Sequence, residues 1–272
     1  MRLLLIVLIA LAIAIAGCIG QAPIVVSDLT ITAGFDPPEI KPVETATFFI
    51  DMENKGAAPI RNLTVDVFDT GILSVIAPKP NSCLATLAEF RSAQLESIEC
   101  QLAVTNPSAL IQPTTPVTVR FRTTFEKSIA STFVVDMLTL EEYRRLERLG
   151  RLETKPQSMT FGDSQVQATL QFAKAPPFLA GDTVVAYLNI RNAGPGNIYT
   201  LEPARFSMSQ AGSALVCNFD STLYSTNGVF VPITCIFTAP MEIETAATYS
   251  FTLGLSYDYE IRQSASLTVS RE

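Results

Sequence analysis

The sequence predicts an all-β protein, with two antiparallel sandwiches in tandem, joined by one short charged helix and preceded by an N-terminal export segment. Three observations predict it. Short runs of alternating apolar and polar residues recur between Gly, Pro and Asn clusters at the roughly 8–12-residue spacing of sandwich strands. The stretch Glu44 to Phe68 recurs 138 positions later as Asp182 to Phe206, with Thr45/Thr183, Asn54/Asn192, Gly56/Gly194, Ile60/Ile198, Leu63/Leu201 and Phe68/Phe206 identical. A fold unit stated twice in a 272-residue chain divides it into two cores rather than one. Finally, 48% of residues are hydrophobic and 17% charged, enough apolar surface to fill both.

The chain opens with Arg2, an apolar run from Leu3 to Ala16, and then Gly17-Cys18. That run is short for a bilayer span of about 20 residues and has the layout of a secretory leader. The small residues before the cysteine, Ile15-Ala16-Gly17-Cys18, resemble the lipobox of prokaryotic lipoproteins. The resemblance implies cleavage after Gly17 and lipid attachment at Cys18; an uncleaved anchor helix is the alternative. Residues 1–17 are thus expected as a signal peptide and 18–23 as a tether to the outer face of a membrane.

Five cysteines are an odd number for an exported chain, and assigning Cys18 to lipid leaves four. Cys83 and Cys100 enclose 16 residues, Cys217 and Cys235 enclose 17, and each pair follows its copy of the repeat. With no CxxC spacing and no histidine, two intradomain disulfides are expected ahead of metal ligation.

The first sandwich is expected over residues 24–138. Thr45 to Glu53 alternates as a half-buried strand, Asn54-Lys55-Gly56 turns, and Val117, Val119, Phe121 and Phe125 share one face of a later strand. Only Ala85 to Leu95 is ambiguous between strand and helix. Residues 139–156 are expected as a linker helix: Thr139 can cap it, Glu142 closes a capping box and Gly150 stops it. Its narrow stripe, Leu140, Tyr143, Leu146 and Leu149, is expected to rest on a sandwich or to dock another protein. The second sandwich is expected over 157–272, and Tyr249, Phe251, Leu253, Leu255, Tyr257, Tyr259 and Ile261 alternate strictly within it. That register puts the tyrosines in the core and Asp258 and Glu260 outside, against a reading of this segment as a Ca²⁺ or carbohydrate site.

Asp28-Leu29-Thr30, Pro37-Pro38, Lys41-Pro42, Glu44-Thr45, Asn54-x-Gly56 and Asn62-Leu63-Thr64-Val65 resemble the CARDB and related Ig-like domains of prokaryotic surface proteins. Pro176-Pro177, Gly181-Asp182-Thr183 and Asn192-x-Gly194 repeat the order. The resemblance implies a seven-stranded Ig-like sandwich in each domain and a structural or adhesive role at the cell surface.

A net charge of −7 argues against nucleic acid and anionic lipid as electrostatic partners. The absence of histidine removes Ser–His and Cys–His nucleophiles and the usual near-neutral base, so no enzyme and no cofactor are expected. The expected partners are the membrane, through the N-terminus, and a surface protein or glycan. The alternative is an accessory subunit of an envelope transport or secretion complex, docked through the helix. Asn62-Leu63-Thr64 is an acceptable glycosylation sequon, expected just after a turn. The turns at Asn192 to Tyr199 and Asn227 to Val229 are candidate binding loops on a second domain held away from the membrane.

Overall fold

A computed structural model of the protein describes residues 24–26, 28–79, 82–107, 112–210 and 214–271. It is mostly β-structure, with one α-helix among the described residues. In the first half the strands are β1 (Ile24–Val26), β2 (Leu29–Asp36), β3 (Glu39–Ile40), β4 (Thr45–Asn54), β5 (Ile60–Asp69), β6 (Leu73–Ala77), β7 (Leu84–Phe90), β8 (Leu95–Val104) and β9 (Thr114–Leu138). The ambiguous segment from Ala85 to Leu95 is therefore strand. After helix α1 (Leu140–Arg148) come β10 (Ser158–Gly162), β11 (Val166–Phe172), β12 (Phe178–Leu179), β13 (Thr183–Asn192) and β14 (Thr200–Leu201). The chain continues through β15 (Phe206–Gln210), β16 (Ala214–Cys217), β17 (Leu223–Tyr224), β18 (Ile233–Thr238) and β19 (Ala246–Ser270).

β9 and β19 organise the molecule. Each is 25 residues long, and they pair antiparallel without a break from Thr114↔Ser270 to Leu138↔Ala246. At roughly 3.3 Å per residue the ladder is about 80 Å long. It forms the centre of a seven-stranded sheet: five strands in the order β15-β19-β9-β5-β7, with β12 joined to β9 and β3 joined to β19. Odd-numbered residues of both strands face inward along the whole length, from Val117, Val119, Phe121 and Phe125 through Ile129, Phe133, Val135 and Met137. On β19 the inward set includes Phe251, Leu253, Leu255, Tyr257, Tyr259, Ile261, Ala265, Leu267 and Val269. Unbroken period two gives one continuous apolar face, which must be covered from end to end.

Two five-stranded sheets cover it, β1-β2-β4-β8-β6 over one half and β10-β11-β13-β18-β16 over the other. Ring contacts between layers mark each: Phe48 against Phe121 at 5.8 Å in the first half, and Phe172 and Phe237 against Phe251 at 6.5 and 6.4 Å in the second. The long strands cross the boundary. The start of β9 lies under the first sheet and its end pairs in parallel with β12, while the end of β19 pairs in parallel with β3 of the first half. The expected pair of independent sandwiches is thus corrected to two half-sandwiches on one shared sheet. Each long strand is about twice as long as one half-sandwich needs, and its second half serves the other unit.

The pairing is symmetric about Glu126↔Asp258, with 12 residues of each strand on either side. The molecule therefore has an internal quasi-twofold axis through the middle of the ladder.

The helix departs from expectation in place and in contacts. It follows the far end of β9, and the Thr139 N–H donates to Thr245 O beside the start of β19, so it lies at the tip of the second half and not between the halves. Thr139 caps it as predicted, accepting from the Glu142 N–H at 3.3 Å, and Gly150 ends it at φ +61°. The Glu142 carboxylate pairs with Arg145 at 2.7 Å instead of returning to Thr139, whose N–H is already taken. None of its residues is buried: Leu140 and Leu149 are 49% and 54% exposed, while Tyr143 and Leu146 are only partly covered, so the stripe is not sealed against the sheet.

Candidate functional site

The duplicated Asn-x-Gly corners stand where the two covering sheets meet. After β4, Asn54 is fully buried; its Nδ2 donates to Phe90 O at 2.8 Å and Ala58 O at 3.2 Å, and its Oδ1 accepts the Gly56 N–H at 3.0 Å. Lys55 and Gly56 both donate their N–H to Asp28 O. After β13, the Gly194 N–H donates to Asn192 Oδ1, and Ala193 and Gly194 donate to Gln165 O. Only glycine fits at either corner: a Cβ on Gly56 would stand 2.8 Å from the Asp28 Cβ, and one on Gly194 would stand 2.4 Å from the Tyr259 hydroxyl. Asp28 and Gln165 are thus equivalent residues of the two repeats, each accepting at its own corner.

Both reach the same cation. Lys127 is on the inward face of β9, one residue from the axis and opposite Tyr257. Its side chain is 9% exposed. Its Nζ bonds Asp28 Oδ2, Gln165 Oε1 at 2.7 Å and Asp163 Oδ2 at 3.1 Å, which uses all three ammonium donors. Asp28 comes from the first half; Asp163 and Gln165 come from the turn between β10 and β11. Lys127 therefore ties the halves together at the seam.

Asp163 is held from every side. Its Oδ1 accepts the Gln165 and Val166 N–H groups at 2.8 and 2.9 Å, and the Tyr257 hydroxyl donates to Oδ2 at 2.6 Å. Burial pushes its pKa up, but the Tyr257 hydroxyl, the two backbone N–H groups and the Lys127 charge together hold it below the ordinary carboxylate value. Burial, and then the Asp163 charge, push the Tyr257 phenol far above its ordinary value, so it remains a donor. The position equivalent to Lys127 is Tyr259, whose hydroxyl donates to Asn192 Oδ1 at 3.2 Å and accepts the Gly196 N–H at 2.8 Å. One buried ammonium and two partly covered carboxylates around it form a compact polar cluster at the edge of an otherwise apolar core.

The opposite face of the ladder is polar. Ser128 meets Ser256 and Thr132 meets Thr252, each at 2.7 Å, and Thr248 donates to Asp136 at 2.9 Å. At the axis, Glu126 and Asp258 are like charges directly opposite. Asn62 bonds Glu126 at 2.9 Å and Arg205 pairs with Asp258 at 2.7 Å, which offsets the repulsion.

The predicted site residues are placed as follows. Cys18 lies outside the described residues. Cys83–Cys100 and Cys217–Cys235 are disulfides, which fit an oxidising environment outside the cytoplasm. Their positions differ despite matching spacing. Cys83 precedes β7 beside β5 and joins the long sheet to β8 of the first covering sheet, whereas Cys217 and Cys235 face each other on paired strands of the second. Asn62 is exposed, but it lies within β5 at an irregularity between Arg61 and Thr64, with φ +50°, and not after a turn. Tyr257 and Tyr259 are buried as expected, Asp258 is exposed, and Glu260 is largely covered, paired with Arg262 and accepting from Tyr199 at 3.1 Å.

The Asn192 to Tyr199 loop is not at a far end: Asn197 bridges to Glu260, near the axis. Asn227 to Val229 packs beside it, with the Asn192 N–H donating to Gly228 O. Sequence reasoning missed Lys127, Asp28 and Asp163. A signal was present, since Lys127 continues the parity of Phe121, Phe125 and Ile129, which puts a charge on a buried face.

Among the described residues no group of His, Cys, Asp and Glu is spaced to hold a metal ion, and no helix is long and apolar enough to cross a membrane. No protein family and no curated protein matches the chain. Among solved structures 28 chains match. One is a crystal structure of a protein of unknown function from Porphyromonas gingivalis W83, 12% identical, over 78% of this chain and 84% of that one, at a TM-score of 0.24. At that score the likeness carries no argument about fold or function.

Proposed function

We propose that the protein is a lipid-anchored structural or adhesive component of a prokaryotic cell surface, related to CARDB-like Ig domains, and that it acts by binding a protein or a glycan. The observation that carries this reading is the 25-residue ladder, covered on one face and polar on the other, with a disulfide in each half. Such a plate is stiff and presents a long, flat row of hydroxyl and charged groups, chemistry that suits hydrogen bonding to sugars or polar protein surfaces. Cys18 is the lipid attachment point in this reading, and Asn62 is accessible for glycan attachment. Two experiments test it. Cys18→Ser should release the mature chain from the membrane fraction; retention without any lipid mass on the N-terminus in the parent would remove the anchor. Paired Thr132→Arg and Thr252→Arg changes on the polar face should abolish retention of the soluble chain by isolated cell envelopes, and unchanged retention would remove that face as the binding surface.

A second reading is favoured by one observation, the exposed stripe of α1 at the tip of the second half. In it the protein is an accessory subunit of an envelope complex, docked through that helix. Crosslinking on intact cells separates the two: crosslinks from 140–148 support docking, and crosslinks from the polar face support adhesion.

A further inference from the structure

We propose that Lys127 and Asp28 form an intramolecular isopeptide bond, promoted by Asp163, so that the seam between the halves is closed covalently. The proposal starts from placement. Lys127 Nζ is already in contact with Asp28 Oδ2, which holds the amine beside the carboxyl carbon it would attack, the kind of fixed juxtaposition from which intramolecular reactions gain their advantage. Both groups are fixed by the frame: Lys127 stands mid-strand in an unbroken ladder, and Asp28 is pinned because its own carbonyl accepts the Lys55 and Gly56 N–H groups of the buried corner. A lysine amine is a nucleophile once its proton is taken by a neighbouring base.

The second carboxylate supplies the proton chemistry. Asp163 Oδ2 lies 3.1 Å from the same nitrogen and is oriented by the Tyr257 hydroxyl and two backbone N–H groups. In the step proposed, Asp163 takes a proton from the Lys127 ammonium, and the nitrogen lone pair attacks the Asp28 carboxyl carbon. Asp163 returns the proton to a departing Asp28 oxygen, which leaves with the electron pair of the broken C–O bond. The oxygen departs as water, with a second proton also drawn from the nitrogen. Ammonium plus carboxylate become amide plus water, no external reactant is needed, and Asp163 is regenerated. Gln165 Oε1 holds the nitrogen in place without being consumed.

The consequence is a covalent link between β9, which runs through both halves, and the first residues of the folded chain. The test is the intact mass of the folded, full chain after reduction of its disulfides. The expected result is a mass lower by one water, with a branched peptide joining Asp28 to Lys127 in the digest. Lys127→Arg and Asp28→Ala should each restore the full mass, and Asp163→Asn should leave the folded chain mostly unlinked. Full mass in the folded parent protein overturns the proposal, and so does loss of ammonia in place of water, which would mark Gln165 as the acyl donor. Because the decisive measurement is made on the parent, failure of a variant to fold does not blunt it.

Discussion

The two repeats share their corner and differ in what fills the space beside it. In the first, Asn54 is fully buried and closes its turn through three hydrogen bonds, two of them to carbonyls of its own half. In the second, Asn192 is partly exposed and shares its Oδ1 with Tyr259, which stands where the first repeat has Lys127. The tyrosine bonds only residues of the second half, whereas the lysine bonds both halves. One equivalent position therefore completes a unit and the other joins two. Duplication supplied the frame, and divergence at a single inward position made the joint.

The largest effect concerns the joint as a whole. Protease cleavage within 150–156 should leave the two fragments associated under native conditions, because the ladder from Thr114↔Ser270 to Leu138↔Ala246 stays intact. Separation of the fragments on gel filtration would mean that the halves are independent after all. Next comes Lys127→Met, which strands Asp28 and Asp163 in the seam and should cost about 3–5 kcal/mol by urea unfolding. Tyr259→Phe, the equivalent change in the other repeat, removes neutral hydrogen bonds only and should cost about 1–2 kcal/mol. Equal losses would erase the distinction between joint and filler.

The disulfides close loops of nearly equal length, with sequence separations of 17 and 18, so replacing either pair by serine should cost about 3 kcal/mol on chain-entropy grounds. They are distinguishable by location: loss of Cys83–Cys100 should raise amide exchange on β7 and β8, and loss of Cys217–Cys235 on β16 and β18. Exchange that rises in the same strands for both would contradict their separate placement. Asn54→Ala should cost about 2 kcal/mol and Asn192→Ala about 1 kcal/mol, since the second site is wetter.

The smallest effect is in pH. The folded pKa of Asp163 lies below its unfolded value, so its contribution is complete above the ordinary carboxylate range of about 4 and is lost as pH falls through the folded value. Asp163→Asn should therefore flatten the acid limb of the stability curve below about pH 4 and leave its slope at neutral pH unchanged. A slope change near neutrality would assign that titration to another group.

Much of this was legible because it is local. Alternation from Tyr249 to Ile261 predicts the buried face of β19, Thr139 and Gly150 predict the ends of α1, and the Asn-x-Gly repeat predicts two equivalent corners. The pairing of β9 with β19 was not legible, because period two says which side of a strand is buried and nothing about which strand lies beside it. The broken second copy of β5 was hidden for the same reason. Leu201 and Phe206 keep the repeat's apolar pattern, but Pro203 to Arg205 turn the chain, and β14 and β15 pair with different strands. The seam cluster combined both difficulties, since its residues are local surprises whose partners lie far away in the chain.

The ladder also sets the order in which the protein can be made. A chain synthesised from its N-terminus presents residues 24–138 long before 246–270, yet β3 and the inner edge of β9 find their partners only in β19. Neither half can close its shared layer until that last strand has emerged. The mean sequence separation of these contacts is large, which slows folding and leaves an unpaired edge waiting meanwhile. The segment that completes the first half is therefore the one that arrives last.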